Sequence, residues 1–250
     1  MTPREREDAA LAELTSRSAQ LEKGRIESYG PHPDQIVEWH GPNEPGAAPV
    51  MFIHGGFFRP AIDRSHARLT AATLAAATQT PVALAGYRRI PGDPAAGIAD
   101  IGAIADRLEP AIWVGHSAGG TLVLLRALDR RRPGVRVVAL APIVDVQRGL
   151  AERLGDGALE DWLGPPIAAE PSTYAPFNPV ELVAALPERL ETVRCLHGAG
   201  DLTVPASQSS HSGVPHLIVP AAHHLDLIDP ASDAWPTVVA TIQAMRAPTR

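Results

Sequence analysis

The segment Ile112-Trp113-Val114-Gly115-His116-Ser117-Ala118-Gly119-Gly120, leading into Thr121-Leu122-Val123-Leu124-Leu125, constrains the chain most. An apolar run ends in G-x-S-x-G and passes at once into a helical pattern. A strand that reverses so sharply into a helix brings backbones together, which demands glycine on both sides and holds the central serine in a strained, outward conformation. Ser117 is therefore the candidate nucleophile, and the positive end of the helix that follows adds potential there.

The rest of the chain supports a sheet around that turn. Short apolar runs at 50–53, 81–85, 111–114, 135–140, 192–196 and 216–219 read as strands, and 35–39 as a further extended piece before the turn at 41–46. Helical patterns near 66–79, 94–108, 118–130 and 231–246 separate most of them. Near-continuous apolar strands alternating with helices predict an α/β fold, with a mostly parallel sheet covered on both faces and functional groups at the carboxyl ends of the strands. The chain opens on a helix, where Thr2 and Glu5 have capping-box spacing and Pro3 suits the first turn. Its apolar stripe, Ala10, Leu11, Leu14 and Leu21, is weak. The stretch from Asp145 to Leu186, with Gly164-Pro165-Pro166 inside it, is too long for a simple crossover and is expected to cap the site of a single domain spanning 1–250.

Composition narrows the function. With 250 residues, 45% of them hydrophobic and 20% charged, the chain can bury one large core. A net charge of −6, with Arg130-Arg131-Arg132 as the longest basic run, argues against nucleic acid; those arginines suit a helix C-terminus before Pro133-Gly134. The single cysteine, Cys195, excludes an intramolecular disulfide and reads as a buried strand residue. No signal-peptide core and no run of membrane-spanning length is present, so a cytoplasmic protein with no membrane partner is the expectation. A small-molecule substrate is expected, and a homodimer is allowed.

A nucleophilic serine needs a base, an orienting acid and an oxyanion hole, and each has a candidate at a strand end. His54-Gly55-Gly56-Phe57 follows the strand at 50–53, where glycines let backbone N–H groups approach a developing alkoxide, with the N–H of Ala118 as partner. Asp201, after the strand at 192–196, is the candidate acid, and Asp145, after the preceding strand, its rival. The base comes from His223 or His224, since neighbouring side chains in extended backbone point apart and only one can face Ser117. That pair lacks the helical spacing or cysteine partners of a metal site. His54, His116 and His197 read as turn and supporting residues.

These motifs resemble the α/β-hydrolase superfamily and, within it, the serine-dependent kynurenine formamidase (arylformamidase) group. The resemblance runs through Arg17-Ser18-Ala19, Tyr29-Gly30-Pro31 with Gln35, His54-Gly55-Gly56-Phe57-Phe58, Gly86-Tyr87-Arg88, the Ser117 elbow, Gly200-Asp201 and His224-Leu225-Asp226. It implies Ser117 as nucleophile, Asp201 as acid and His224 as base, with Gly55, Gly56 and Ala118 around the oxyanion and no cofactor or metal. Two departures stand out: Phe57-Phe58 replaces the family's aromatic followed by tryptophan, and the stretch from Arg89 to Gly115 is short. Phe57, Phe58, Trp162, Tyr174 and Phe177, beside the oxyanion loop or in the cap, are the candidate substrate contacts. The function expected is hydrolysis of an aryl formamide of the N-formylkynurenine type, with a short-acyl carboxylesterase as the alternative and a non-catalytic binding protein of this fold as the third reading.

Overall fold

A computed structural model describes residues 3–42, 46–165 and 169–246. Thr2 and Pro166, named above, lie outside them. Numbering only helices longer than a single turn, the order is α1 (Pro3–Ala19), β1 (Arg25–Ser28), β2 (Ile36–His40), β3 (Val50–Ile53), α2 (Arg68–Thr78), β4 (Val82–Ala85), α3 (Pro94–Arg107), β5 (Ile112–His116), α4 (Ala118–Ala127) and β6 (Val137–Leu140). There follow α5 (Val146–Ala151), α6 (Leu154–Leu163), α7 (Pro179–Ala185), β7 (Val193–Gly198), β8 (His216–Val219) and α8 (Trp235–Arg246).

The strands form one sheet in the order β1-β2-β4-β3-β5-β6-β7-β8. β1 and β2 run antiparallel to their neighbours, and every pairing from β4 to β8 is parallel. Alternation along the central strands builds two cores. Val50 and Phe52 join the layer holding Leu14 of α1, Leu74 of α2 and Val238 of α8, whereas Met51 and Ile53 join the layer beneath α3 and α4. Ile112, Trp113 and Val114 of β5 alternate in the same way. Period-2 side chains that are apolar on both faces are what a sheet sandwiched between helices requires.

β1 was not foreseen. All four of its residues are exposed and only Ile26 is apolar, so nothing in its pattern distinguishes it from a loop; it is held by pairing with β2 at the sheet edge, and charge on such an edge deters further pairing.

The insertion between β6 and β7 is helical and shares a core with the sheet. Leu159, Trp162, Tyr174 and Val183 pack in the same buried layer as Trp113 and Val137. Its start is pinned by polar groups: Asp145 accepts from the N–H of Arg148 at 3.0 Å, and the Asn178 side chain accepts from the N–H of Val146 at 2.8 Å. α6 begins in left-handed backbone, with φ of 64° at Gly155, 56° at Asp156 and 84° at Gly157. A Cβ on Gly155 would lie 2.3 Å from Cδ1 of Phe57, so glycine is what lets this turn close against that ring.

Candidate active site

The parallel strands aim their carboxyl ends the same way, and every element of the site extends from one of them. At the end of β5, Ser117 has φ 52° and ψ −120°, the strained conformation that the elbow demands, and its N–H donates to the Leu140 carbonyl of β6 at 2.8 Å. The flanking glycines are explained by contact. A Cβ on Gly115 would lie 2.3 Å from the Gly119 carbonyl oxygen, and one on Gly119 would lie 2.2 Å from that of Ile53. The helix thus starts almost in backbone contact with β3.

The loop after β3 lies against the serine, since a Cβ on Gly55 would approach that of Ser117 to 3.0 Å. The His54 ring donates from Nδ1 to the Gly55 carbonyl at 2.6 Å, and its Nε2 accepts from Arg89 at 3.3 Å. A carbonyl held in that direction turns the N–H of Gly56 to the opposite side of the same planar peptide. Burial, reinforced by the charges of His66 and Arg89, holds His54 well below the usual imidazole range and keeps it neutral. Ala118 is the first residue of α4, where an N–H has no acceptor within the helix.

Beyond β7 and β8, the His224 ring donates from Nδ1 to Asp201 Oδ2 at 2.7 Å. The other oxygen of Asp201 accepts from the N–H groups of Thr203 and Val204 at 3.0 and 2.8 Å. Burial pushes the Asp201 carboxyl up, but the charge of His224 and the hydrogen bonds of His197 and His224 together hold it well below the carboxylate range. His224 responds in kind: burial lowers its pKa, while Asp201 and then Glu7 raise it, and the net shift is upward. The ring packs against His116, 4.6 Å between centroids, and His116 Nε2 donates to the His224 carbonyl at 3.0 Å. Among the described residues, no hydrogen bond joins Ser117 to His224.

The rival residues lie elsewhere. Asp145 caps α5, and its neighbourhood is fixed by Gln208, whose side chain accepts from the N–H groups of Val144 and Asp145. His223 is exposed and pairs through Nδ1 with the Gly200 carbonyl. His197 is buried behind the acid, with Nε2 directed at the Val204 carbonyl at 2.7 Å and at Asp201 at 3.4 Å. Cys195 is buried in β7, which pushes its thiol up to about 12.

A cavity of about 530 Å³ opens over His224, with Leu11, Phe57, Leu154, Leu202 and Leu225 in its wall. The five candidate substrate aromatics do not gather there. Phe57 alone borders this cavity; Phe58 stacks face to face on Trp162 at 4.0 Å, Phe177 meets that ring edge-on at 6.2 Å, and Tyr174 is buried beside them. The structure uses Phe58, Trp162 and Tyr174 to join insertion and sheet, because large rings between two layers gain more from mutual burial than from facing solvent. Glu7 escaped sequence reasoning: it reaches the cavity from α1, its carboxylate accepts from the N–H of His224 at 3.4 Å, and burial raises its pKa. Leu202, 60% exposed, forms an apolar lip directly after the acid and was likewise unforeseen.

No protein-family model matches the chain, and no curated protein does. Solved structures do resemble it. The HSL-homolog EstE7 from a metagenome library superposes with a TM-score of 0.68 at 19% identity, covering 99% of each chain. Esterase B from Lactobacillus rhamnosis gives 0.68 at 17% identity, over 97% of this chain and 94% of the other. A candidate thioesterase from Silicibacter sp. gives 0.65 at 23% identity, over 94% and 90%. The chain has the α/β-hydrolase fold. Among the described residues, no helix is long and apolar enough to cross a membrane.

Proposed function

We propose that this protein is a serine carboxylesterase acting on small neutral esters. The reading is supported by Ser117, strained at φ 52°, and the 2.7 Å Asp201–His224 pair, which follow the carboxyl ends of parallel strands, with His116, the residue before the serine, packed 4.6 Å from the His224 ring. In the proposed reaction the Ser117 hydroxyl gives its proton to His224 Nε2 as Oγ bonds to the ester carbonyl carbon. The oxyanion is met by the N–H groups of Ala118 and of the Gly55-Gly56 loop. Collapse returns the proton from His224 to the departing alcohol, and a water molecule activated by the same imidazole then releases the acid. Asp201 fixes the imidazole tautomer throughout.

Esters are favoured over the aryl formamide that the motif resemblance implied. The reported structural neighbours are esterases and a thioesterase candidate. Of the two arginines in the cavity wall, Arg59 is engaged by the Gly155 carbonyl at 2.8 Å, and Arg153 is largely exposed and loosely paired with Glu160 at 3.7 Å, so neither is a fixed, buried partner for an amino-acid carboxylate. Leu11, Leu154 and Leu202 offer apolar surface instead, and Phe57 is the proposed aromatic contact.

Hydrolysis of p-nitrophenyl acetate, butyrate and octanoate, measured beside N-formylkynurenine, tests this reading. The short esters should be the best substrates, with kcat/KM falling gradually toward octanoyl, because a methylene in an apolar pocket is worth only about 1–3 kcal/mol. Ser117→Ala should lose about 10³-fold or more while remaining folded. A folded Ser117→Ala variant near the parent rate would remove the serine mechanism, and a preference for N-formylkynurenine would restore the formamidase reading.

A further inference from the structure

A second cavity includes neither Ser117 nor His224 in its lining. It is a groove of about 990 Å³ between α3 and α4, bordered on the insertion side by Phe177 and Leu182, and it shares no lining residue with the cavity over His224. Ile98, Leu125, Phe177 and Leu182 make its long walls apolar, while its far end carries Arg126, Arg130, Arg131 and Arg132. That is a concentration of positive charge in a chain whose net charge is −6.

The charges at this end do not balance. Asp106 pairs with Arg132, and Asp129 pairs with Arg131 at 3.0 Å. Arg130 donates to the Ala185 carbonyl. Arg126 is different: only 8% exposed, it has no carboxylate partner among the described residues, donates to the Pro133 carbonyl at 3.1 Å, and leaves Nε without an acceptor. Its guanidinium sits 5.9 Å from the centroid of Trp113, which is buried behind the groove. Burial, with the charge of Arg132 added, lowers the pKa of Arg126. Asp129 and Asp106 act on Arg126 only at a distance, and a largely buried guanidinium that lines an apolar cavity with no carboxylate paired to it is complementary to a planar anion.

We propose that this groove binds an anionic amphiphile, with an apolar chain along α3 and α4 and a carboxylate on Arg126. The volume is that of a small-ligand pocket. The proposal does not depend on the esterase reading, since it rests on other residues.

Calorimetric titration with decanoate tests it, with decanol and decyltrimethylammonium as neutral and cationic controls. The parent should bind decanoate more tightly than either control, Arg126→Met should weaken decanoate at least tenfold while leaving decanol unchanged, and Arg126→Lys should recover part of the loss. Arg126→Met should melt no lower than the parent, because it removes an unpaired buried charge rather than a structural ion pair. Ile98→Trp, which fills the groove and leaves the arginines intact, should weaken decanoate as well. Absence of decanoate binding, equal affinity for decanol, or decanoate affinity unaltered by either Arg126→Met or Ile98→Trp would overturn the proposal.

Discussion

His224 holds a proton more readily than a free imidazole does, although it is buried. Burial works against the charged form, but Asp201 and, more weakly, Glu7 reverse the sign. A general base must be neutral to act, so kcat/KM for an ester should rise with pH through a value above the unperturbed imidazole figure of about 6.5. Glu7→Gln removes one of the charges that favour the imidazolium, so this limb should move to lower pH with the plateau rate little altered. A pH–rate profile of the two proteins decides it, and a limb that stays in place or moves upward would take Glu7 out of the site's electrostatics. Asp201→Asn should lower kcat by about 10⁴-fold, because the amide stabilises the wrong imidazole tautomer. Asp145→Asn, which alters only the cap of α5, should leave turnover near parental. Kinetics of the two variants side by side would expose a misassigned acid.

At the scale of elements, the elbow is a contact between backbones. α4 starts so close to the end of β3 that Gly119 has no room for a methyl group: the obstacle at 2.2 Å is the carbonyl oxygen of Ile53, which cannot swing aside as a flexible side chain can. Gly119→Ala should therefore cost about 1–3 kcal/mol of stability and lower esterase activity further by displacing Ser117. Gly120→Ala is the milder comparison, because its nearest neighbours, Cβ of Pro142 at 3.1 Å and the carbonyl oxygens of Gly115 and Leu140 at 3.2 and 3.3 Å, need yield only a few tenths of an ångström. Denaturant titration and kinetics on the pair should separate them clearly; equal effects would mean that the helix start tolerates movement. On the opposite side of the candidate site, the left-handed opening of α6 lets Gly155 close on Phe57 and receive Arg59, so the insertion and the loop after β3 are held as one wall.

For the molecule as a whole, the antiparallel side of the sheet depends on a buried carboxylate. Glu38 of β2 is fully buried, paired with Arg68 at 2.6 Å and Arg64 at 3.1 Å, and joined by His40 at 3.4 Å. Burial raises its pKa, yet the nearby His40 ring, the hydrogen bonds of Arg68 and the charge of Arg68 hold it well below the carboxylate range. Asp201 is depressed likewise. Carboxyls held below their unfolded values of about 4 contribute stability that is present in full above that pH and is lost as pH falls below it. The protein should therefore lose stability steeply under acid. Glu38→Gln, which strands two arginines, should cost about 3–5 kcal/mol near neutrality and flatten that acid loss. Midpoints of denaturant unfolding between pH 3 and 7 for parent and variant check both statements, and parallel curves would remove Glu38 from the acid response.

The central strands and the elbow were legible because their physics is local. A strand buried on both faces must be apolar along its length, as Val50–Ile53 and Val137–Leu140 are, and a strand-to-helix reversal must be rich in glycine. β1 was hidden because an exposed edge strand carries no such pattern. Chain order placed a carboxylate and a histidine pair after the last strands, but the choice between His223 and His224 belongs to packing: neighbouring side chains diverge, and only contact with Asp201 selects one. Phe58, Trp162 and Tyr174 could as well have lined a pocket as filled a joint, and what decided it was the partner ring that folding brought to each. Glu7 stands 217 positions from His224, and Arg126 is set apart only by where its neighbours' charges fall. The sequence by itself determined which segments are buried and where the backbone turns, since burial and turn geometry depend on a few adjacent residues. The tertiary structure alone decided which distant charges meet, because electrostatic contact is a property of distance in space.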